Sequence, residues 1–269
     1  MLSIEEIKLL IEKLERVKKE DFQKIIDENL QILRDIEKAV DVNNREKIDY
    51  TYKTPDWFRL DMEQKRNNPY KWQKVDEPLR KLVQTKIYQF SRSDLYNSLE
   101  IGPGDGMFSM DFRAWKSNYF LDILGDREPL IRKKFPRQHQ VHLRFVLMKD
   151  DYCAQIPKNS CNFVFSWDTF VFLPEEQIRK YLQSMKNVLI PGGYCFINYA
   201  DCHFDEDLGN ASRGYWAYNT KTLMSAMIKE YGYEIVEMNM FKPGASYAIF
   251  RKPGKQNPVA FKVSELTLD

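Results

Sequence analysis

The chain has 269 residues, a length for one or two domains. Hydrophobic residues make up 43% and charged residues 30%, which excludes wholesale disorder. Lys and Arg number 41 against 39 Asp and Glu, so the net charge of +2 lacks the basic excess of a protein that coats a polyanion.

The N-terminal part reads as helical. Ser3 followed by Glu6 has the pattern of a capping box, in which each side chain satisfies a free amide at the helix start. Ile4, Ile7, Ile11 and Leu14 then recur at helical spacing, and Phe22, Ile25, Ile26, Leu30, Leu33, Ile36 and Val40 resume the stripe. Two helices are predicted, over about 3–19 and 21–40. Sustained heptads are absent, so the stripe packs on a hairpin partner, the main domain or a second copy of the chain. Residues 41–75 are irregular and aromatic, with Tyr50, Tyr52, Trp57, Phe58, Tyr70 and Trp72 suited to a core or a cleft. A further helix starts near Pro78, with Asp76 as its cap, and buries Leu79, Leu82, Val83, Ile87 and Phe90. The N-terminus is charged throughout, and no apolar run reaches the length of a membrane span. The four cysteines, Cys153, Cys161, Cys195 and Cys202, form no C-x-x-C pair and read as reduced structural thiols. A cytoplasmic location is therefore expected.

No glycine occurs before Gly102, and from residue 97 the texture changes. Short apolar runs (SLEIG, YFLDI, VHLRFVLM, NFVFSW, YCFINYA) alternate with helical stretches, notably 126–135 and 175–189. Such alternation predicts an α/β fold, a doubly wound and mostly parallel sheet with helices on both faces. The end differs. A helix over 219–231 leads into YEIVEMNMF and, after a short turn with Pro243 and Gly244, SYAIFRK. Strands joined so closely must be antiparallel, because a parallel return needs a dozen residues or more.

The sharpest local feature is Leu99-Glu100-Ile101-Gly102-Pro103-Gly104-Asp105-Gly106, placed where a buried strand should turn into a helix. Gly102 and Gly104 let the backbone approach a ligand closely. The spacing is G-x-G-x-G; Met107 stands where the dinucleotide fingerprint needs its last glycine. Glu100 would repel a pyrophosphate but could hold an ammonium. Asp122 ends the next strand, where a carboxylate can take hydrogen bonds from ribose hydroxyls. After the third strand come Asp150 and Asp151, either of which could accept from an adenine amino group.

These features together resemble the class I S-adenosylmethionine-dependent methyltransferases, over roughly residues 95–253. The likeness rests on Glu100 and the LEIGPGDG loop, Asp122, the acid near 150–151, NFVFSWDTFVFLP at 162–174 and NVLIPGGYCFI at 187–197. It implies a Rossmann-like methyltransferase fold, a seven-stranded sheet closed by an antiparallel hairpin, with a helical N-terminal extension. The domains expected are 1–92 (extension or cap), 93–253 (methyltransferase) and 254–269 (tail). It implies S-adenosyl-L-methionine as cofactor, held by Glu100, Gly102, Gly104, Asp122, Asp150, Asp151 and Tyr152 and flanked by Ser166 and Trp167. The stretch SWDTFVFLPEEQIRKYLQSMKNVLIPGG is similar to sugar O-methyltransferases.

An oxygen acceptor needs a base. The candidates beyond strands four and five are Asp168, Tyr199, Asp201 and His203, with His203 first because its ordinary pKa of about 6.5 suits proton transfer near neutrality. Tyr199, Arg213, Tyr215 and Trp216 could bind a sugar or planar acceptor. The acids from Asp201 to Asp207 have the oxygen density of a hard-metal loop, but a solvated acidic loop is preferred and no metal is assigned. A small-molecule acceptor is expected, with no membrane span and a homodimer through the N-terminal helices as one use of that extension. Two rival readings are an RNA or other nucleic-acid methyltransferase and a non-catalytic S-adenosylmethionine-binding module. Near-neutral charge, and Ser166-Trp167-Asp168-Thr169 in place of Asn/Asp-Pro-Pro-aromatic, argue against nucleic acid.

Overall fold

The computed structural model describes residues 77–90, 96–112, 116–149, 152–213 and 216–255. The helices and aromatics expected over 1–76, the acids Asp150 and Asp151, Tyr215, and the tail from 256 lie outside the described residues.

The chain begins there with helix α1 (Glu77–Phe90) and strands β1 (Asn97–Ile101) and β2 (Ser117–Asp122). Next come the short helices α2 (Glu128–Arg132) and α3 (Arg137–Gln140), β3 (Leu143–Leu147) and β4 (Cys161–Ser166). Then follow α4 (Glu175–Val188), β5 (Leu189–Tyr199), α5 (Asp205–Ser212), α6 (Lys221–Glu230), β6 (Glu234–Met240) and β7 (Ser246–Arg251). The strands form one sheet in the order β3-β2-β1-β4-β5-β7-β6. β1 pairs in parallel with β2 and β4, β2 with β3, and β4 with β5, whereas β7 runs antiparallel to both β5 and β6. This is the mostly parallel sheet with a closing hairpin expected from the sequence.

Alternation of side chains along each strand builds two layers. Leu99, Ile101, Val164, Cys195 and Ile197 join Ile178, Leu182 and Met185 of α4 and Met224, Met227 and Ile228 of α6 in one cluster. Phe163, Phe165, Phe196 and Ile249 join Leu79, Val83, Ile87 and Phe90 of α1 in the other. β4 is buried at all six positions, as befits a central strand covered on both sides.

Three local expectations are corrected. The helix expected over 126–135 is a 3-10 turn over Gly125–Arg127 followed by the five residues of α2. Pro136 accounts for the interruption, since it has no amide to donate and disfavours helical geometry before it. The glycine loop does not pass directly into a helix; it coils through turns to a 3-10 segment at Ser109–Phe112, with Gly104 and Gly106 at φ +53° and +75°. Leu82, expected in the core, is 47% exposed at the margin of the α1 stripe.

Candidate active site

Parallel strands place their carboxyl ends along one rim. Chain order reverses between neighbours β1 and β4, and ligands of open α/β sheets bind at that switch point. The glycine loop leaves β1 there. Gly102 has φ +64°, its amide donates to the Leu121 carbonyl at 2.8 Å, and a Cβ on it would fall 1.9 Å from Thr169 Oγ1. No larger residue fits without moving Thr169. Gly104 differs: a Cβ there would meet nothing within 4 Å, so its face is open to a ligand.

Asp122 lies beside that opening at the end of β2. Burial pushes its carboxyl up to about 6, against the opposing pull of the Leu124 amide at 2.9 Å, the Arg127 guanidinium and the Gly104 amide. Arg127 is 2% exposed, and its Nη1 is 3.3 Å from Asp105 of the glycine loop. Asp122, Arg127, Pro103 and Leu147 share the wall of a cavity of about 140 Å³. Ile123 and Leu147 expose 39% and 43% of their surface nearby.

Glu100 is buried on β1, and Ser109 Oγ donates to its Oε2 at 2.5 Å. Burial raises its carboxyl to about 8 despite that bond. It therefore carries a proton near neutrality until a cation or solvent reaches it.

Asp168 follows β4 with φ +58°, a left-handed conformation uncommon outside glycine, which aspartate tolerates better than most residues. Asn198 of β5 holds it at two points: the Asp168 amide donates to Asn198 Oδ1 at 2.7 Å, and Asn198 Nδ2 donates to Asp168 Oδ1 at 3.1 Å. Desolvation by the protein packed around it raises the Asp168 carboxyl to about 6, although the residue is exposed, and the Asn198 hydrogen bond restrains the rise. Next to it, Thr169 Oγ1 donates to the Ile101 carbonyl at 3.3 Å, and Ser166 Oγ to the same oxygen at 2.8 Å. Loops after β1 and β4 are thus tied together around the switch point.

Other expected site residues are placed differently. Trp167 is buried among Phe108, Phe196 and Phe241. Tyr199 is 1% exposed within the core, and burial pushes its phenol well up. Tyr152, at φ +53°, meets Tyr181 edge to face at 4.7 Å. Arg213 donates to Asn210 Oδ1 at 2.9 Å near the end of α5, and Trp216 lies against Gly244 of the hairpin turn.

Asp201 and His203 form a second cluster. His203 Nδ1 is 2.9 Å from Asp201 Oδ1, which also accepts the Lys221 amide at 3.1 Å. The Asp201 amide donates to Asp207 Oδ2 at 2.6 Å. Both Asp201 and His203 line a groove of about 710 Å³ beside α6, whose lining includes no residue of the glycine loop. Among the described residues no three His, Cys, Asp or Glu side chains converge on one point. All four cysteines are buried.

Four residues of the site have no counterpart among the sequence-based candidates: Ser109, Arg127, Thr169 and Asn198. Asn198 left a trace, as the lone amide in the apolar run YCFINYA. The others lie in short 3-10 turns or a loop and acquire meaning only from their partners.

A family model described as a methyltransferase domain matches residues 43–238, or 196 of the 269 positions (238 − 43 + 1). The chain belongs to the methyltransferase domain family. It is an S-adenosylmethionine-dependent methyltransferase. No curated protein matches it. Among solved structures, the N-methyltransferase NodS from Bradyrhizobium japonicum WM9, in complex with S-adenosyl-L-homocysteine, is 17% identical with a TM-score of 0.53. That likeness covers 68% of this chain and 92% of NodS. A SAM-dependent methyltransferase from Methanosarcina mazei is 13% identical with a TM-score of 0.51, over 62% of this methyltransferase and 97% of the other. At these identities the likeness is one of fold. Among the described residues, no helix of the methyltransferase is long and apolar enough to cross a membrane.

Proposed function

We propose that this methyltransferase methylates an oxygen of a small sugar or sugar-like acceptor, with Asp168 as its base. The observation that carries the reading is the left-handed Asp168 beside the glycine loop, held at two points by Asn198. A carboxyl raised to about 6 is ionised at neutral pH yet more basic than an ordinary aspartate, which suits proton abstraction.

The donor supplies an already activated methyl group, so the protein's task is alignment and exclusion of water. The open face at Gly104 and the adjacent carboxylate of Asp122 fit a ribose bearing two hydroxyls. The exposed apolar side chains of Ile123 and Leu147 offer a surface to a planar base, with Asp150, Asp151 and Tyr152 following β3 as its polar partners. Glu100 lies behind the loop, where a nearby ammonium would favour its ionised form, with the proton released to solvent. Ser166 and Trp167 form the wall behind the switch point. Tyr215, Trp216 and Arg213 have the mixed aromatic and polar chemistry that suits a sugar and remain the candidates for contacts to the acceptor. The resemblance of residues 166–193 to sugar O-methyltransferases supports the same class. Tyr199, inside the core, is left a supporting role, and Asp201 with His203 belong to the separate groove.

Calorimetry with S-adenosylhomocysteine followed by turnover against a panel of sugars tests this reading. Asp122→Ala should weaken binding by about 1–3 kcal/mol, the range for losing a charge-assisted hydrogen bond. Asp168→Asn should bind S-adenosylhomocysteine normally and lose about 10²–10⁴-fold in kcat, the usual contribution of a positioned base. An Asp168→Asn enzyme with unchanged kcat would remove Asp168 from the chemistry.

A further inference from the structure

We infer that the groove between α6, the edge strand β6 and the Asp201–Phe204 turn is a second ligand site, which takes a small anionic amphiphile: a phosphate or carboxylate carried on an apolar body.

Its volume, about 710 Å³, falls within the ~300–1,000 Å³ of small-molecule sites. Thr222, Ser225, Ala226 and Lys229 line it from α6. Their spacing of three, four and seven residues puts them on one helix face, and their mostly small side chains make that face concave. Phe204 and Met238 supply apolar surface opposite.

The charges give the groove its sign. Lys221 and Lys229 stand at its two ends, eight residues apart and so ~12 Å along the helix. Neither has a carboxylate partner among the described residues. Other helical lysines do: Lys81 pairs with Glu77, Lys86 with Glu237 and Lys180 with Glu176. Glu230, next to Lys229, is committed to Arg179 at 2.6 Å. The single acid in the lining, Asp201, is 3% exposed and spends Oδ1 on His203 and on the Lys221 amide. That bond also fixes the His203 ring at the groove's edge. An apolar floor framed by two unneutralised ammonium groups recognises an anion with a hydrophobic body better than either part alone.

The site shares no lining residue with the cavity at Asp122, so it stands whatever the methyl acceptor proves to be. The full-length protein, labelled with ¹³C at methionine methyls, tests it by titration with 1-naphthyl phosphate, 1-naphthol and inorganic phosphate. The Met238 methyl, assigned with Met238→Leu, should shift and saturate with naphthyl phosphate. Naphthol and inorganic phosphate should each bind at least about tenfold more weakly. Replacing both lysines (Lys221→Gln with Lys229→Gln) should raise Kd about fivefold or more at unchanged Tm. Saturation with S-adenosylhomocysteine should leave that Kd unaltered. Equal binding of naphthol, equal binding of inorganic phosphate, an unmoved Met238 methyl, indifference to the two substitutions, or displacement by S-adenosylhomocysteine would each overturn the proposal.

Discussion

Glu100 is a charge the fold would rather not carry. Its folded pKa of about 8 lies above its ordinary 4.5, so between those values the native state holds more protons than the unfolded chain. Stability therefore falls as pH rises through that window, by on the order of 2–4 kcal/mol. Glu100→Gln keeps an oxygen to accept from Ser109 and removes the titration. Urea unfolding at pH 5 and pH 8 should show a clear loss for the wild type and a much smaller one for the variant; equal losses would mean that Glu100 is not desolvated as described. Asp122 works the opposite way for binding, because only its ionised form can accept two ribose hydroxyls. S-adenosylhomocysteine affinity should fall as pH drops through about 6. Arg127 helps to hold that carboxyl down, so Arg127→Gln should move the acid limb to higher pH without abolishing binding at pH 8. A limb that stays in place would assign Arg127 to the glycine loop alone, through Asp105.

Elements meet at the switch point through pairs, and there the sequence was only half legible. The glycine loop could be read because its demands are local: Gly102 needs a positive φ and no Cβ, which the spacing alone announces. Asp122 could be read because a carboxylate ending an apolar strand stands out. The clamp on Asp168 could not, since its partner Asn198 is 30 residues away and only sheet pairing of β4 with β5 brings the two together. Nor could the failure of the helix over 126–135, where Pro136 outweighed an apolar pattern. His203 looked like the best base on chemistry, yet Asp201 and α6 hold it in a different groove. Asn198→Ala tests the clamp. It leaves the Asp168 amide without its acceptor, which should cost about 1–3 kcal/mol of stability. It also frees the carboxyl, so kcat should fall tenfold or more while S-adenosylhomocysteine affinity stays within about twofold. Loss of affinity and kcat in step would instead indicate collapse of the whole rim.

At the scale of the molecule, the fold was legible because it rests on composition and alternation, which many residues report together; the domain boundary rests on few. α1 falls inside the 1–92 segment that reads as a separate extension, yet Leu79, Val83, Ile87 and Phe90 pack into the same cluster as Phe163, Phe165 and Phe196. Lys86 reaches Glu237 of β6 at 2.6 Å, and Gln84 and Tyr88 hold Asp111 of the glycine-loop segment at 2.6 and 3.0 Å. The family match likewise begins at residue 43. Burial of four such side chains is worth about 6–12 kcal/mol at about 1.5–3 kcal/mol each, comparable with the whole stability of an ordinary domain, about 5–15 kcal/mol. A chain that starts at residue 93 should therefore fail to fold cooperatively, whereas one that starts at residue 77 keeps α1 and should unfold at a distinctly higher urea concentration. Identical unfolding curves for the two would show that α1 contributes nothing to the sheet. The clear gap expected between them would make α1 the first element of the methyltransferase domain and would move the domain's start to residue 77 or earlier.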